Sequence, residues 1–123
     1  LLENILMPAR IKRKPIDLKR AQKLLRHVDL HHRARHLAKQ LSGGEKQRAS
    51  VARALCNDPD LILADEPSGN LDTQNSHLIH KLLIHTAKEL NKALIVVTHN
   101  QDLATLCDRR YVLHDALLTS REV

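Results

Sequence analysis

The 123-residue sequence has no Trp and no Phe, and Tyr111 is its single Tyr. Any core must therefore be aliphatic, built from Leu, Ile, Val and Ala. Three glycines and four prolines are too few for a fibrous or linker-like chain. Cys56 and Cys107 lie far apart with no CxxC spacing, which excludes a disulfide framework and a thiolate metal centre and points to two reduced thiols in a cytosolic protein. The longest apolar runs, residues 93–97 and 61–64, fall far short of the ~20 residues that cross a bilayer. The first residues, Leu1-Leu2-Glu3-Asn4, offer neither an initiating Met nor the basic-then-apolar order of a secretion signal, so the sequence reads as starting in mid-domain.

What is present is an ordinary globular balance, 42% hydrophobic and 28% charged, in a length that suits one domain or part of one. The net charge of +6 could serve nucleic acid or an anionic membrane face. The scarcity of base-stacking aromatics argues against nucleic acid as a partner, and a solvated basic surface is the simpler reading.

Pro8 interrupts the apolar-polar segment 4–12, and a basic loop follows at 12–15. From Asp17, apolar residues at Leu18, Ala21, Leu24, Leu25 and Val28 recur at helical spacing, giving one buried stripe and a charged face of Lys19, Arg20, Lys23 and Arg26. Residues 30–40 are basic, and His31, His32 and His36 have no evident carboxylate or thiol companion, so metal binding is not the expected reading. His77, His80 and His85 fall on a predicted helix over 73–90, with Ile79, Leu82, Leu83, Thr86 and Leu90 as its buried stripe and His77 facing water. The runs 61–64 and 93–98 flank that helix, which is the β-α-β alternation of a parallel sheet buried on both faces. Asn100 is placed to cap a short helix through Cys107, and 110–114 reads as a strand before a polar tail.

The chemistry gathers at three places. Ser42 with Glu45 three residues on makes a capping box, and Gly43 and Gly44 between them leave the first N–H groups of the helix open to an anion, where the dipole also points. The run 61–64 ends in Asp65-Glu66, two carboxylates at the C-terminal end of a predicted buried strand. That is where parallel sheets bind ligands; an Asp there suits a hydrated Mg²⁺ and a Glu suits deprotonation of water. Residues 68–72 form a tight loop whose Asp72 can cap the next helix, and strand 93–98 delivers His99 to the same sheet edge as Asp65 and Glu66.

In this order the residues resemble the ABC-transporter ATP-binding subunits. Residues 41–45 are similar to the signature motif, 61–66 to the Walker B strand with its glutamate, 68–72 to the D-loop, and His99 to the switch histidine. Segments 2–8, 64–72 and 96–100 look like the lipoprotein-releasing ATPase (LolD) group, whose relatives in macrolide export and cell division share much of the pattern. The resemblance implies an α/β fold of the P-loop NTPase type, with part of a helical subdomain at 1–40 and the signature helix, catalytic strands and C-terminal strands at 41–123.

The resemblance also implies a head-to-tail pair of subunits clamping two ATP molecules and driving integral membrane permease subunits from the cytoplasmic side of the bacterial inner membrane. Ser42, Gly43, Gly44 and Glu45 would face the γ-phosphate held by the partner, and Asp72 would line the seam. Asp65 would hold Mg²⁺ through water, Glu66 would be the general base, and His99 would contact the γ-phosphate. The sequence departs from the family in having no GxxxxGK[ST] segment, no base-stacking aromatic and no glutamine loop. Alone, it is expected to be inactive, either as part of an ATPase or as a non-catalytic interaction module. Strand 93–98 is expected to keep an unpaired edge. Asp115-Ala116 stands where the family usually has Asp-Gly, and Ala tolerates a positive φ poorly, which argues against a tight hairpin there.

Overall fold

The computed structural model describes residues 1–15 and 17–121. Leu2–Ile11 forms helix α1, straight through Pro8, where the sequence reading placed a break. Pro8 removes one backbone donor, but burying Ile5, Leu6 and Ala9 against the rest of the chain outweighs that loss. Helix α2 spans Leu18–His27, and Asp17 caps it by accepting the N–H of Arg20 at 3.0 Å. Of the expected apolar stripe, Ala21, Leu24, Leu25 and Val28 are buried, but Leu18, at the first position of the helix where no neighbour covers it, is 53% exposed. Residues 28–42 run as an irregular segment with two short 3₁₀ turns, His31–Arg33 and Ala38–Gln40.

Helix α3, Gly43–Ala54, packs on α1 and α2, and the chain then enters strand β1, Leu61–Asp65. Helix α4, Thr73–Glu89, returns it to strand β2, Ala93–Val97, which pairs in parallel with β1 in the register Leu61↔Ala93 through Asp65↔Val97. Asn100 caps α5, Gln101–Leu106, through Leu103 N–H at 3.0 Å. One continuous aliphatic cluster, with Leu25, Leu30, Leu55, Ile62, Ile79 and Leu83 among its members, joins the helices to one face of the parallel pair.

The other face of that pair is not covered. Leu61, Leu63, Ile95 and Val97 are 45–71% exposed, which corrects the expectation of a sheet buried on both sides. Alternation makes the odd-numbered residues of both strands share this face, and the core cluster lies on the even-numbered one, against Ile62, Ala64 and Leu94. The chain as a whole exposes 8793 Å². A compact monomer of its 14.0 kDa would expose about 6,700 Å².

Strands β3, Arg110–His114, and β4, Leu117–Arg121, form an antiparallel hairpin that extends the predicted strand into the supposed tail. Its turn places Asp115 at φ 47° and Ala116 at φ 61°. The two-residue turn thus forms despite Ala, because consecutive positive φ values match the twist of the flanking strands. The strain is local, so Ala116→Gly should stabilise the hairpin by ~1 kcal/mol, read as slower amide exchange in β3 and β4 alone.

The two ends of α3 are held by different parts of the molecule. At its C-terminal end the guanidinium of Arg20 donates to the carbonyls of Leu55 at 3.0 Å and Cys56 at 3.3 Å, satisfying acceptors that the helix leaves open. Arg20 also lies 3.4 Å from Asp58, whose carboxylate accepts a 2.6 Å bond from Lys92 at the start of β2. That Lys92 bond, followed by the charges of Lys92 and Arg20, holds the Asp58 carboxyl below its ordinary pKa.

Candidate functional site

The N-terminus of α3 has the predicted capping box. Ser42 Oγ accepts from Glu45 N–H at 3.2 Å, and the Glu45 carboxylate accepts from Ser42 N–H at 3.1 Å. Arg33 reaches the other oxygen of Glu45 at 3.0 Å. The backbone bond from Ser42, more than the Arg33 charge, lowers the Glu45 pKa. The two glycines differ in what they do. Gly43 is exposed, and a Cβ there would meet only Leu71 Cδ2 at 3.5 Å. Gly44 is buried, and a Cβ would fall 2.6 Å from Asn75 Oδ1. Open approach to an anion therefore belongs to Gly43, and close packing on the first turn of α4 belongs to Gly44.

That packing brings the 42–45 segment against the loop and helix start at 71–75. Asp72 accepts Asn75 N–H at 2.8 Å and caps α4, as its position predicts. Among the described residues, no hydrogen bond or ion pair joins this group to the second cluster at the strand ends.

The second cluster centres on Glu66. Its backbone sits at φ 43°, a conformation that costs a non-glycine residue ~1–3 kcal/mol and persists only when its surroundings fix it. Three bonds do so here. Glu66 N–H donates to Val97 O at 2.8 Å, Thr98 Oγ1 donates to one carboxylate oxygen at 3.2 Å, and His99 N–H donates to the other at 2.8 Å. Thr98 in turn accepts Asn100 N–H at 2.9 Å, so its hydroxyl proton is directed at Glu66. The His99 ring is fully exposed, with Nε2 3.8 Å from Glu66. Asp65 is exposed at the end of β1 and makes no ion pair among the described residues.

A cleft of about 450 Å³ opens beside Glu66, lined also by Ser68, His77, His80, His99 and Asp102. His80, treated by sequence as an unremarkable helix histidine, is 1% exposed, and its Nε2 lies 2.7 Å from Ser68 Oγ. Burial, then the neighbouring His77, lowers its pKa, with Asp102 opposing. The unfolded chain therefore binds a proton that the folded one refuses. Stability from this group is complete above the ordinary histidine value of 6.5 and is lost as pH falls below it toward the depressed folded value. Urea midpoints measured between pH 7.5 and 5 should fall, and His80→Phe should flatten that slope.

Three features were missed by the sequence reading. Thr98 gave a readable signal, a hydroxyl at a strand end beside His99. The Ser68–His80 bond and the Arg33–Glu45 pair span chain separations that no local pattern reports. One negative expectation also needs correcting: Asp29, at φ 57°, turns its carboxylate to within 4.8 Å of the ring nitrogens of His31 and His32. The three are exposed, and Arg48 lies 3.9 Å from Asp29, a charge that opposes a cation.

A family model described as ABC transporter matches residues 2–69. The lipoprotein-releasing system ATP-binding protein LolD of Protochlamydia amoebophila is 50% identical, over 98% of this chain and 55% of that protein. The protein of the same name from Treponema pallidum is 46% identical over 95% of this chain and 53% of its own length. The chain thus spans about half the length of these relatives. Among solved structures, a dimeric bacterial ABC transporter cassette superposes with a TM-score of 0.72 at 39% identity, covering 88% of this chain and 49% of that one. A cassette in a post-hydrolysis state bound to ADP and Pi gives 0.78 at 36% identity, over 99% and 57%.

Proposed function

Because the chain belongs to the ABC transporter family, we propose that it forms the signature and Walker B portion of an ATP-hydrolysing subunit that powers lipoprotein release from the bacterial inner membrane. The observation that carries the reading is the Glu66 cluster: a carboxylate fixed by Thr98 and the His99 N–H at the ends of two parallel strands. The names of the relatives support the lipoprotein cargo.

In this reading two subunits pair head to tail. Ser42 Oγ, already an acceptor toward Glu45, keeps its proton to donate to the γ-phosphate bound by the partner, and the exposed Gly43 lets that phosphate approach the helix N-terminus. Glu45 anchors the cap, Gly44 sets it on α4, and Asp72 lies on the same side. Mg²⁺ would be held near Asp65 through water and would neutralise phosphate charge. Glu66 takes the proton of the attacking water, and the exposed His99 ring reaches the γ-phosphate. The β- and γ-phosphates require a phosphate-binding loop that these residues do not contain, so the subunit acts only where such a loop is supplied. No helix of the described residues is long and apolar enough to cross a membrane. In this reading coupling to transport goes through integral membrane permease subunits.

A subunit carrying this chain with a phosphate loop, reconstituted with its permease in vesicles holding an acylated lipoprotein, should release that lipoprotein on addition of ATP. ATP hydrolysis without release would remove the cargo assignment, and absence of both would remove the enzyme assignment. Gly43→Ala separates packing from phosphate approach: thermal stability should hold, and ATP-dependent pairing of subunits should weaken about tenfold.

A further inference from the structure

The charge of this chain is concentrated in one place. Residues 10–26 hold eight of its 20 Lys and Arg but only one of its 14 acids, Asp17, which is engaged as a helix cap. Among the described residues of this segment, Arg20 is the cation that makes an ion pair. The other cations are exposed. Lys19, Lys23 and Arg26 recur along α2 directly opposite the buried stripe of Ala21, Leu24 and Leu25, and Lys12, Arg13 and Lys14 form the loop that leads into it.

Aliphatic side chains stand out among these cations. On α1, Met7 and Ile11 lie opposite the buried Ile5, Leu6 and Ala9, and they are 48% and 74% exposed; Leu18, at the start of α2, is 53% exposed. A solvated basic face needs no such neighbours, and phosphates of a nucleic acid gain nothing from them. The apolar stripe of α2 is already used by the core, so α2 cannot lie in a bilayer on that stripe as a free amphipathic helix would. What remains is a basic ridge with protruding aliphatic tips.

We propose that the outer surface of the α1–α2 pair binds an anionic lipid bilayer, with the 12–14 loop, Lys19, Lys23 and Arg26 against headgroups and Met7, Ile11 and Leu18 at the acyl boundary. Cations near an anionic leaflet add their attractions, which act within about 10 Å of the surface at 0.1 M salt. The opposing charges nearest in sequence are Asp17, beside Leu18 and Lys19, and Asp29, three residues past Arg26, and Asp58 lies 3.4 Å from Arg20. The binding uses neither nucleotide nor the signature face, so it is independent of the proposed ATPase reading.

The test is flotation of the full chain with phosphatidylcholine vesicles made with and without phosphatidylglycerol. Recovery should require phosphatidylglycerol, fall steeply as salt is raised, and drop at least about tenfold in Lys12→Glu/Arg13→Glu/Lys14→Glu. Lys23→Glu/Arg26→Glu, on the helix instead of the loop, should weaken it in the same direction, with far-ultraviolet circular dichroism unchanged in both. Ile11→Ser should lower vesicle affinity several-fold and leave heparin binding intact. Equal recovery on both vesicle types, or recovery on neither, would overturn the proposal. Tighter binding to duplex DNA than to vesicles, unaffected by Ile11→Ser, would overturn it in favour of nucleic acid.

Discussion

Replacing Glu66 with Gln is expected to cut ATP turnover by about 10²–10⁴-fold in a subunit that combines this chain with a phosphate-binding loop. The amide keeps the size of the side chain and can still accept the His99 N–H, which lies 2.8 Å from the native carboxylate. It cannot take a proton from water. Nucleotide-dependent pairing of subunits should persist, because Glu66 lies in the strand-end cluster and not at the signature helix. Thr98→Val probes the anchoring separately. It removes the 3.2 Å bond to the other oxygen and leaves the base itself in place, so turnover should fall only about tenfold, the cost of one modest hydrogen bond. Steady-state hydrolysis at saturating ATP measures both. A Glu66→Gln enzyme within a few-fold of the parent would exclude Glu66 as the base, and a Thr98→Val enzyme as impaired as Glu66→Gln would mean that the strained loop at 66 had collapsed.

Leu55→Ala is expected to destabilise the chain by about 2–5 kcal/mol, the range for large-to-small changes at aliphatic core sites. Leu55 is 1% exposed and belongs to the cluster that joins α1, α2, α3, β1 and α4. Its loss opens a cavity where no aromatic ring stands by to fill it, in a sequence without Phe or Trp. Domains of this size have only ~5–15 kcal/mol to lose, and this one leaves an apolar sheet face uncovered. Urea unfolding followed by circular dichroism should show the midpoint collapse. By contrast Leu63→Ala, on the exposed face at 71% exposure, should move it by no more than ~0.5 kcal/mol.

The comparison between these two leucines shows what sequence can and cannot reveal. The runs containing Leu63 and Ile95 read as strands because they are short, apolar and β-branched, and they are strands. Their burial could not be read, since burial depends on what packs against the odd-numbered face and alternation alone does not supply it. Capping was legible at Ser42, Asp72 and Asn100, each accepting the N–H three positions on, and Asp17 caps α2 in the same way without having been read as a cap. Such bonds close over one helical turn, so local order determines them. Pro8 inside α1 was misread for the complementary reason, that contacts distant in sequence override a local preference. At the strand ends Asp65, Glu66 and His99 could be named from spacing, but the bond that fixes Glu66 comes from Thr98 across 32 positions. His80 was passed over because the same helical period places a buried histidine and a buried leucine alike.

Helix α3 is a rod about 18 Å long, seated at one end on Leu71 and Asn75 and gripped at the other by Arg20, with Asp58 and Lys92 tying that grip to the sheet. A rod fixed at both ends does not absorb a push; it passes the push on. Were α2 to swing with its Arg20 bonds intact, the carbonyls of Leu55 and Cys56 would be the handle and Asn75 the fulcrum by which Ser42 changed its aim. Shortening the handle by Arg20→Ala would leave the pointer in place and disconnect it from the hand.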